Sequence, residues 1–279
     1  MVKIIGFDLD DTLLNSKKEI GDKESILKAI EKGVKIVFCS GRPFVKQTKD
    51  YYNQLGLNDN TYYVAYNGVV IYDVSNSKIV SMNNLDSNDV AFIYKTIKEV
   101  TDNLNEGTSK EGTSKEGTSL YIHYNNVVYT DRHNKFVDLE HLYNNIDVIE
   151  KEFWKDGSVA HKFMVGADPK DIKILYELIK DKLNDYTCLI SMPCFIEVFK
   201  KDVDKYQGLL KVAKMYGINE DEIMAFGDSM NDYPMIKNAH IGIAMGNSVE
   251  EIKKISDYVT LDNDNFGITN ALKKYKVIE

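Results

Sequence analysis

With 279 residues, the chain is longer than one hydrophobic core usually supports, so one large or two moderate domains are expected. Hydrophobic residues make up 43% and charged residues 28%, ordinary values for a globular chain. The net charge of −8 argues against a general nucleic-acid or anionic-membrane surface, and an anionic substrate would need a locally positive site.

The three cysteines, Cys39, Cys188 and Cys194, show no metal-ligand spacing and read as reduced thiols of a cytosolic protein. No apolar run reaches the length of a membrane span, and acids interrupt the apolar N-terminal stretch where a signal peptide would have none. The expectation is a soluble, cytoplasmic protein with neither membrane nor nucleic-acid partner.

Residues 2–14 read VKIIGFDLDDTLL. Val2, Ile4, Ile5 and Phe7 form a short apolar run suited to a buried parallel strand. Asp8 and Asp10 follow, two positions apart, and an extended chain puts both carboxylates on one side. Carboxylates there need a cation or a shared proton to coexist. Taken alone, the same residues also fit a strand that ends in a polar turn capped by Asp10 or Asp11.

Next come a helix through Ile26, Leu27 and Ile30 that closes at Gly33, and a strand over 34–38 that ends at Cys39-Ser40-Gly41-Arg42-Pro43. Pro43 is expected to open a helix through Val45, Tyr52 and Leu55. Residues 62–72 read as two strands joined by a two-residue turn at Asn67-Gly68, and turn chemistry is preferred there over a ligand role for Asn67. A short strand over 78–82 follows.

From about residue 84 the pattern changes. A helix over 89–100 leads into EGTSK at 106–110, its repeat at 111–115 and EGTS at 116–119. This tract, about 105–119, has no apolar residue to bury and reads as a surface loop. A hairpin at Asn125-Asn126, a helix near 135–143, a strand over 159–165, a helix from Asp168-Pro169 through Leu183, and strands over 186–191 and 195–199 complete an α+β insert. Strand–helix alternation resumes after Lys205, with strands over 222–226, 241–245 and 258–260. Asp8, Ser40 and Asp228 then all stand at carboxyl ends of strands, where open α/β sheets bind ligands.

DLDDT at 8–12, SGRP at 40–43, a lone Lys205 before a helix and GDSMND at 227–232 resemble, in this order, the haloacid dehalogenase superfamily. The match is to its Cof-type, subfamily IIB phosphatases with a C2 cap. AYNGVVIY at 65–72 and IGIAMGNSVEEIKK at 241–254 resemble that branch too, so the likeness runs nearly end to end. It implies an α/β fold: a doubly wound, mostly parallel Rossmann-like core sheet over 1–83 and 200–279, with an inserted α+β cap over 84–199. It implies a Mg²⁺-dependent phosphatase for small phosphorylated metabolites, sugar phosphates foremost, acting as a monomer or weak homodimer.

The resemblance makes Asp8 the nucleophile and Asp10 the acid and base. Asp8, Asp228 and the backbone carbonyl of Asp10 become the metal ligands, with Asp232 behind them on a metal-bound water or on Lys205. Ser40, Gly41 and Asn231 would hold the phosphoryl oxygens, and Lys205 would offset negative charge. A cation is chemically apt, because two unit charges of one sign at about 4 Å repel by about 4 kcal/mol at an effective dielectric near 20. Singly, Ser40 also fits a helix cap, Lys205 a solvated surface charge and Asp232 a helix-start acid. Three departures stand out: Asp11 where the branch usually has glycine, Asn265-Phe266-Gly267 in place of an acidic-glycine turn, and Pro234 early in its helix. The alternatives are a phosphosugar mutase of the same superfamily and a phosphoacceptor or binding protein without turnover.

Overall fold

The computed structural model describes residues 1–107 and 117–279, without the side chains of 104–107. Most of the EGTSK tract, residues 108–116, lies outside the described residues. The chain divides into two compact units, Met1–Ser81 with Asp204–Glu279, and Met82–Val203.

The first unit opens with β1 (Ile4–Phe7), α1 (Lys23–Glu31), β2 (Lys35–Cys39), α2 (Lys46–Gln54), β3 (Tyr62–Ala65), β4 (Val70–Asp73) and β5 (Lys78–Met82). The second holds α3 (Ser87–Gly107), β6 (Ser119–Tyr124), β7 (Val127–Thr130), α4 (Lys135–Asn144), β8 (Asp147–Glu150), β9 (Lys162–Gly166), α5 (Pro169–Ile179), β10 (Tyr186–Met192) and β11 (Phe195–Lys200). The first then resumes with α6 (Lys205–Met215), β12 (Ile223–Gly227), α7 (Tyr233–Asn238), β13 (Ile241–Ala244), α8 (Glu250–Ile255), β14 (Tyr258–Val259) and α9 (Gly267–Lys274).

Among the described residues, eight strands form one sheet in the order β14-β13-β12-β1-β2-β3-β4-β5. It is parallel from β14 to β3, and β4 turns back antiparallel to β3. This is the expected α/β core. The central strands are buried end to end, as parallel strands covered on both faces must be. Phe7, Phe226 and Phe38 share one register across β12, β1 and β2, and Phe7 stacks on Phe226 with centroids 4.9 Å apart. The neighbouring positions Ile4, Val37, Ile223 and Ala225 pack against Leu209, Val212 and Ala213 of α6 and Met235 and Ile236 of α7. β1, β2 and β12 therefore lie rigidly side by side, and Asp8, Ser40 and Asp228 each follow the last residue of one of them.

Several local expectations change. The first turn of α2 starts at Lys46, not at Pro43, because Thr48 Oγ1 accepts from Val45 N at 2.9 Å and donates to Val45 O at 2.7 Å. The β3–β4 connection is a four-residue loop closed by Ala65↔Val70, not a two-residue Asn67-Gly68 turn. Tertiary bonds override the local turn there, since Asn67 N donates to Ser40 O at 2.9 Å and Tyr66 N to Arg42 O at 3.3 Å. The Asn125-Asn126 hairpin does have two residues, both with positive φ, between Tyr124 and Val127. α3 runs past its expected end to Gly107, α5 stops at Ile179, and β8 had no sequence signal strong enough to be read. Among the described residues no helix is long and apolar enough to cross a membrane.

In the second unit the sheet order is β10-β11-β9-β6-β7-β8. Leu120 and Ile122 of β6, Phe163 and Val165 of β9, and Ile196 and Val198 of β11 cluster with Val90, Ile93 and Ile97 of α3 and Ile172 and Leu175 of α5. The alternate positions include Tyr121, His123, Lys162 and Glu197, which the two-residue period sends to the other face. They are buried and paired: Lys162 Nζ to Glu197 Oε1 at 2.9 Å, and Tyr121 Oη and Asn144 Nδ2 to Glu140 at 3.3 and 2.7 Å. Burial alone would raise the Glu140 carboxyl. The His123 imidazole at 3.4 Å, with Lys162 and Asn144, outweighs it and holds Glu140 down at about 2.

His161 is fully buried with Nδ1 2.8 Å from Asn84 Oδ1, while its Nε2 faces the Asn125 N–H at 3.1 Å. Only a neutral ring with its proton on Nδ1 satisfies both contacts, since a protonated Nε2 would meet a donor. Burial, and then His123, push this imidazole down from its ordinary 6.5 to about 4. A base whose folded value is depressed makes the fold less stable as pH falls through that interval. The unfolding free energy should therefore drop by up to about 3 kcal/mol between pH 6.5 and 4, with Glu140 adding a further loss below pH 4.5. In thermal denaturation from pH 7 to 5, His161→Gln, which keeps a donor and an acceptor but no titrating ring, should show a shallower fall in Tm than the parent. Equal slopes would remove His161 from the account.

Candidate active site

β1 ends at Phe7, and Asp8 N still donates to Phe226 O of β12 at 3.1 Å, so the backbone of Asp8 is fixed by the sheet. The chain then winds into a tight turn over Leu9–Leu13, closed by Leu13 N to Asp8 O at 3.2 Å and Leu14 N to Leu9 O at 2.9 Å. Asp11 takes the left-handed conformation at φ 57°, which aspartate tolerates better than most residues. The turn also corrects the extended-strand picture of Asp8 and Asp10, whose carboxylates reach different partners.

Asp8 Oδ1 lies 2.5 Å from Lys205 Nζ, which also donates to Asp232 Oδ1 at 2.6 Å. Lys205 is 0% exposed, which excludes a solvated surface lysine. It is the first residue of α6, whose N-cap Asp204 accepts from Gln207 N at 2.8 Å. Burial alone would lower the Lys205 ammonium; Asp232 and Asp8 reverse that and keep it cationic. Burial pushes the Asp8 carboxyl well up, Lys205 opposes it, and Asp232 and Asp228 push it further.

Asp232 has both oxygens engaged, Oδ1 by Lys205 and Oδ2 by the N–H groups of Asp228 and Ser229 at 2.9 and 3.0 Å. It therefore ties the loop after β12 to α6. Asp228 Oδ1 accepts from Thr12 Oγ1 at 2.9 Å, and burial followed by Asp232 raises its carboxyl to about 7. Oxygens of Asp8, Asp228 and Asp232 lie within 4.8 Å of one another. Three carboxylates against one ammonium attract a cation, and the hard oxygen donors fit a divalent metal. With Asp232 committed to other bonds, Asp8 and Asp228 are the side chains able to coordinate it.

Asp10 stands outside that trio. Arg42 grips it with a two-pronged pair, Nε to Oδ2 at 2.6 Å and Nη2 to Oδ1 at 2.7 Å, and Lys18 adds 3.1 Å to Oδ1. Burial would raise the Asp10 carboxyl, but Arg42 and Lys18 outweigh it and hold it below the usual range. Ser40 is buried, its N–H on Val64 O at 2.9 Å and its Oγ accepting from Arg42 N at 3.2 Å. Gly41 leaves room for the Asn67 amide, which a Cβ there would approach to 3.2 Å. Asn231 accepts from Ser229 Oγ at 2.9 Å and donates from Nδ2 to Asn67 Oδ1 at 3.2 Å.

The first unit thus gathers Asp8, Lys205, Asp228 and Asp232 into one cluster, with Asn231 on the loop that carries the last two. Asp10 is joined through Arg42 to the Ser40–Gly41 loop. Thr12, Arg42 and Lys18 are contacts that the sequence reading assigned no role, and Asn67 is one that it took for a turn residue. Thr12 and Arg42 lie inside the motifs themselves, DLDDT and SGRP, and that was the available signal.

Replacing Lys205 with methionine would bury the Asp8 and Asp232 carboxylates without their counter-ion. The expected loss of unfolding free energy in urea at pH 7 is about 3–5 kcal/mol. A loss under about 1 kcal/mol would mean that these charges are not mutually dependent.

The sequence model for haloacid dehalogenase-like hydrolases matches residues 5–272. Two Bacillus subtilis proteins are each 28% identical to the chain. One is the 5-amino-6-(5-phospho-D-ribitylamino)uracil phosphatase YcsE, matched over 98% of this chain and 96% of its own. The other is the phosphatase YwpJ, matched over 98% and 99%. A solved haloacid dehalogenase-like hydrolase from Bacteroides thetaiotaomicron superposes with a TM-score of 0.79 at 28% identity, covering 99% of this chain and all of the other. With its parallel core, its acidic cluster on Lys205 and this end-to-end match, the chain belongs to the haloacid dehalogenase-like hydrolase family.

Proposed function

We propose that the chain, a phosphoric monoester hydrolase, releases phosphate from small phosphorylated metabolites, sugar or sugar-alcohol phosphates foremost, by two displacements at Asp8. The observation that carries this reading is the buried array of Asp8, Lys205 and Asp232 at the carboxyl ends of β1 and β12. A relative whose substrate bears its phosphate on a ribityl group supports the polyol-phosphate class.

In the first displacement a carboxylate oxygen of Asp8 bonds to phosphorus as the ester P–O bond breaks. The leaving oxygen keeps the electron pair and takes a proton from Asp10. In the second, water bonds to phosphorus, its proton goes to Asp10, and the bond to Asp8 breaks with its pair returning to the carboxylate. Ser40 Oγ, the Gly41 N–H and the Asn231 amide are assigned to the phosphoryl oxygens. Lys205 offsets negative charge on Asp8 and phosphate as a fixed point charge. Asp8, Asp228 and the backbone carbonyl of Asp10 fit Mg²⁺, which when bound would offset the repulsion between the Asp8 carboxylate and the phosphate. Met82–Val203 is assigned the role of the inserted cap, which discriminates among the organic parts of substrates.

Asp10 ionised by Arg42 is the form the second displacement needs. The first needs Asp10 protonated and therefore out of the Arg42 grip. Removing that grip raises the Asp10 carboxyl, so Arg42→Gln should move the pH–rate limb set by Asp10 to higher pH. An unmoved limb would separate Arg42 from the proton-transfer step.

The deciding experiment measures inorganic phosphate released from a panel of phosphorylated sugars and sugar alcohols with Mg²⁺ and with a chelator. Release should require the cation. Asp8→Asn, nearly isosteric but a poor nucleophile, should lower kcat by about four orders of magnitude while remaining folded with Lys205 still paired to Asp232. A folded Asp8→Asn variant with near-parental turnover would end the covalent reading.

A further inference from the structure

The Tyr66–Gly68 turn between β3 and β4 lies where three pieces of the candidate site meet. Asn67 is 2% exposed and held in the left-handed region at φ 56°, ψ 32°. Its backbone N–H bonds Ser40 O at 2.9 Å, and its side-chain amide lies against Gly41. Its Oδ1 takes a hydrogen bond from Asn231 Nδ2 at 3.2 Å. Gly68, at φ 104°, leaves no room for a side chain, because a Cβ there would collide with the carbonyl of Asp204 immediately before Lys205. The turn is thus packed on the start of α6 and bonded to the loops after β2 and β12.

We infer that Asn67 is a positioning residue for phosphoryl transfer, holding the Asn231 amide so that it presents a hydrogen to the phosphoryl group. An amide nitrogen carries two hydrogens. Asn67 Oδ1 takes one from Asn231 Nδ2, and Ser229 Oγ occupies the Asn231 oxygen. With the amide pinned at both ends, its second hydrogen has a set direction. Without Asn67 the Asn231 side chain can rotate about its Ser229 bond, and the donor is no longer preorganised. The side chain must be long enough to reach Asn231 and must also sit at positive φ, a pair of demands that asparagine meets better than most residues.

This inference rests on the phosphatase reading, and a double-mutant cycle tests it. Asn67→Gly, which accepts the left-handed backbone, Asn231→Ala and the double variant are assayed for kcat and KM with a phosphorylated sugar and Mg²⁺. Thermal unfolding of each variant serves as the control, with Asp8→Asn alongside. Asn67→Gly should lower kcat/KM about tenfold, as loss of one positioned hydrogen bond to a charged group does. The double variant should be no slower than Asn231→Ala alone, because Asn67 acts through Asn231. Losses that multiply, or an Asn67→Gly variant as active as the parent, would overturn the inference. If Asn67→Gly does not fold, Asn67→Asp decides. It keeps the acceptor and tolerates the backbone, but its charge would raise KM for phosphoester if this side chain adjoins the phosphate donor, and an unchanged KM would overturn the inference. An active Asp8→Asn would instead bring down the covalent reading itself, whereas an inactive Asp8→Asn beside a fully active Asn67→Gly would remove only the role of Asn67.

Discussion

One ammonium group without solvent contact, Lys205 between Asp8 and Asp232, sets most of what the first unit does. Burying a lysine costs several kcal/mol unless carboxylates meet it at close range, and burying those carboxylates carries the same condition. The structure meets both by bringing β1, β12 and the start of α6 to one point. Asp232 adds a third constraint, because its other oxygen is spent on two backbone N–H groups of the loop after β12. The loop, the helix and the nucleophile candidate are therefore held by one chain of charge-assisted bonds. Asp228, on the same loop, leaves the cluster with more negative charge than Lys205 can balance, and the cluster gains by taking up either protons or a cation.

How much of this was legible in the sequence depended on whether the signal was local. The buried strands were, because parallel strands covered on both faces need unbroken apolar runs such as IIGF at 4–7. Asp8, Ser40 and Asp228 were legible as strand-end residues, since only the strand boundary had to be right. The separation of Asp8 from Asp10 was not. Period-two reasoning assumes an extended chain, and the chain leaves that geometry at Leu9. Arg42 could be seen in its motif, but its grip on Asp10 joins two loops 32 residues apart and has no local signature.

Asn67 shows the same limit from the other side. Asn-Gly after a strand fits a tight hairpin, so local chemistry favours a turn over a ligand role there. The backbone does turn there, but as a four-residue loop, and the left-handed residue is held by Ser40 O and Asn231 across the sheet end. A residue suited to a turn and a residue suited to a site are chemically alike in asparagine, a short amide that accepts positive φ. Sequence alone could not separate the two uses, because what distinguishes them is the identity of long-range partners.

The two units manage buried charge in opposite ways. In the second, Glu140 is paired and held low while His161 is locked neutral, so both groups oppose acidification. In the first, Asp228 is raised to about 7 by burial and by Asp232. An acid raised in the fold lends stability at low pH and withdraws it as pH climbs toward that value. Near neutrality the second unit is therefore in its favoured range, while the first is giving up the stability its proton supplied. A cation bound among these carboxylates would restore that stability by the free energy of its binding, since the unfolded chain offers no such cluster. The crowding of carboxylates that costs the first unit stability at neutral pH is thus also what favours uptake of a cation there.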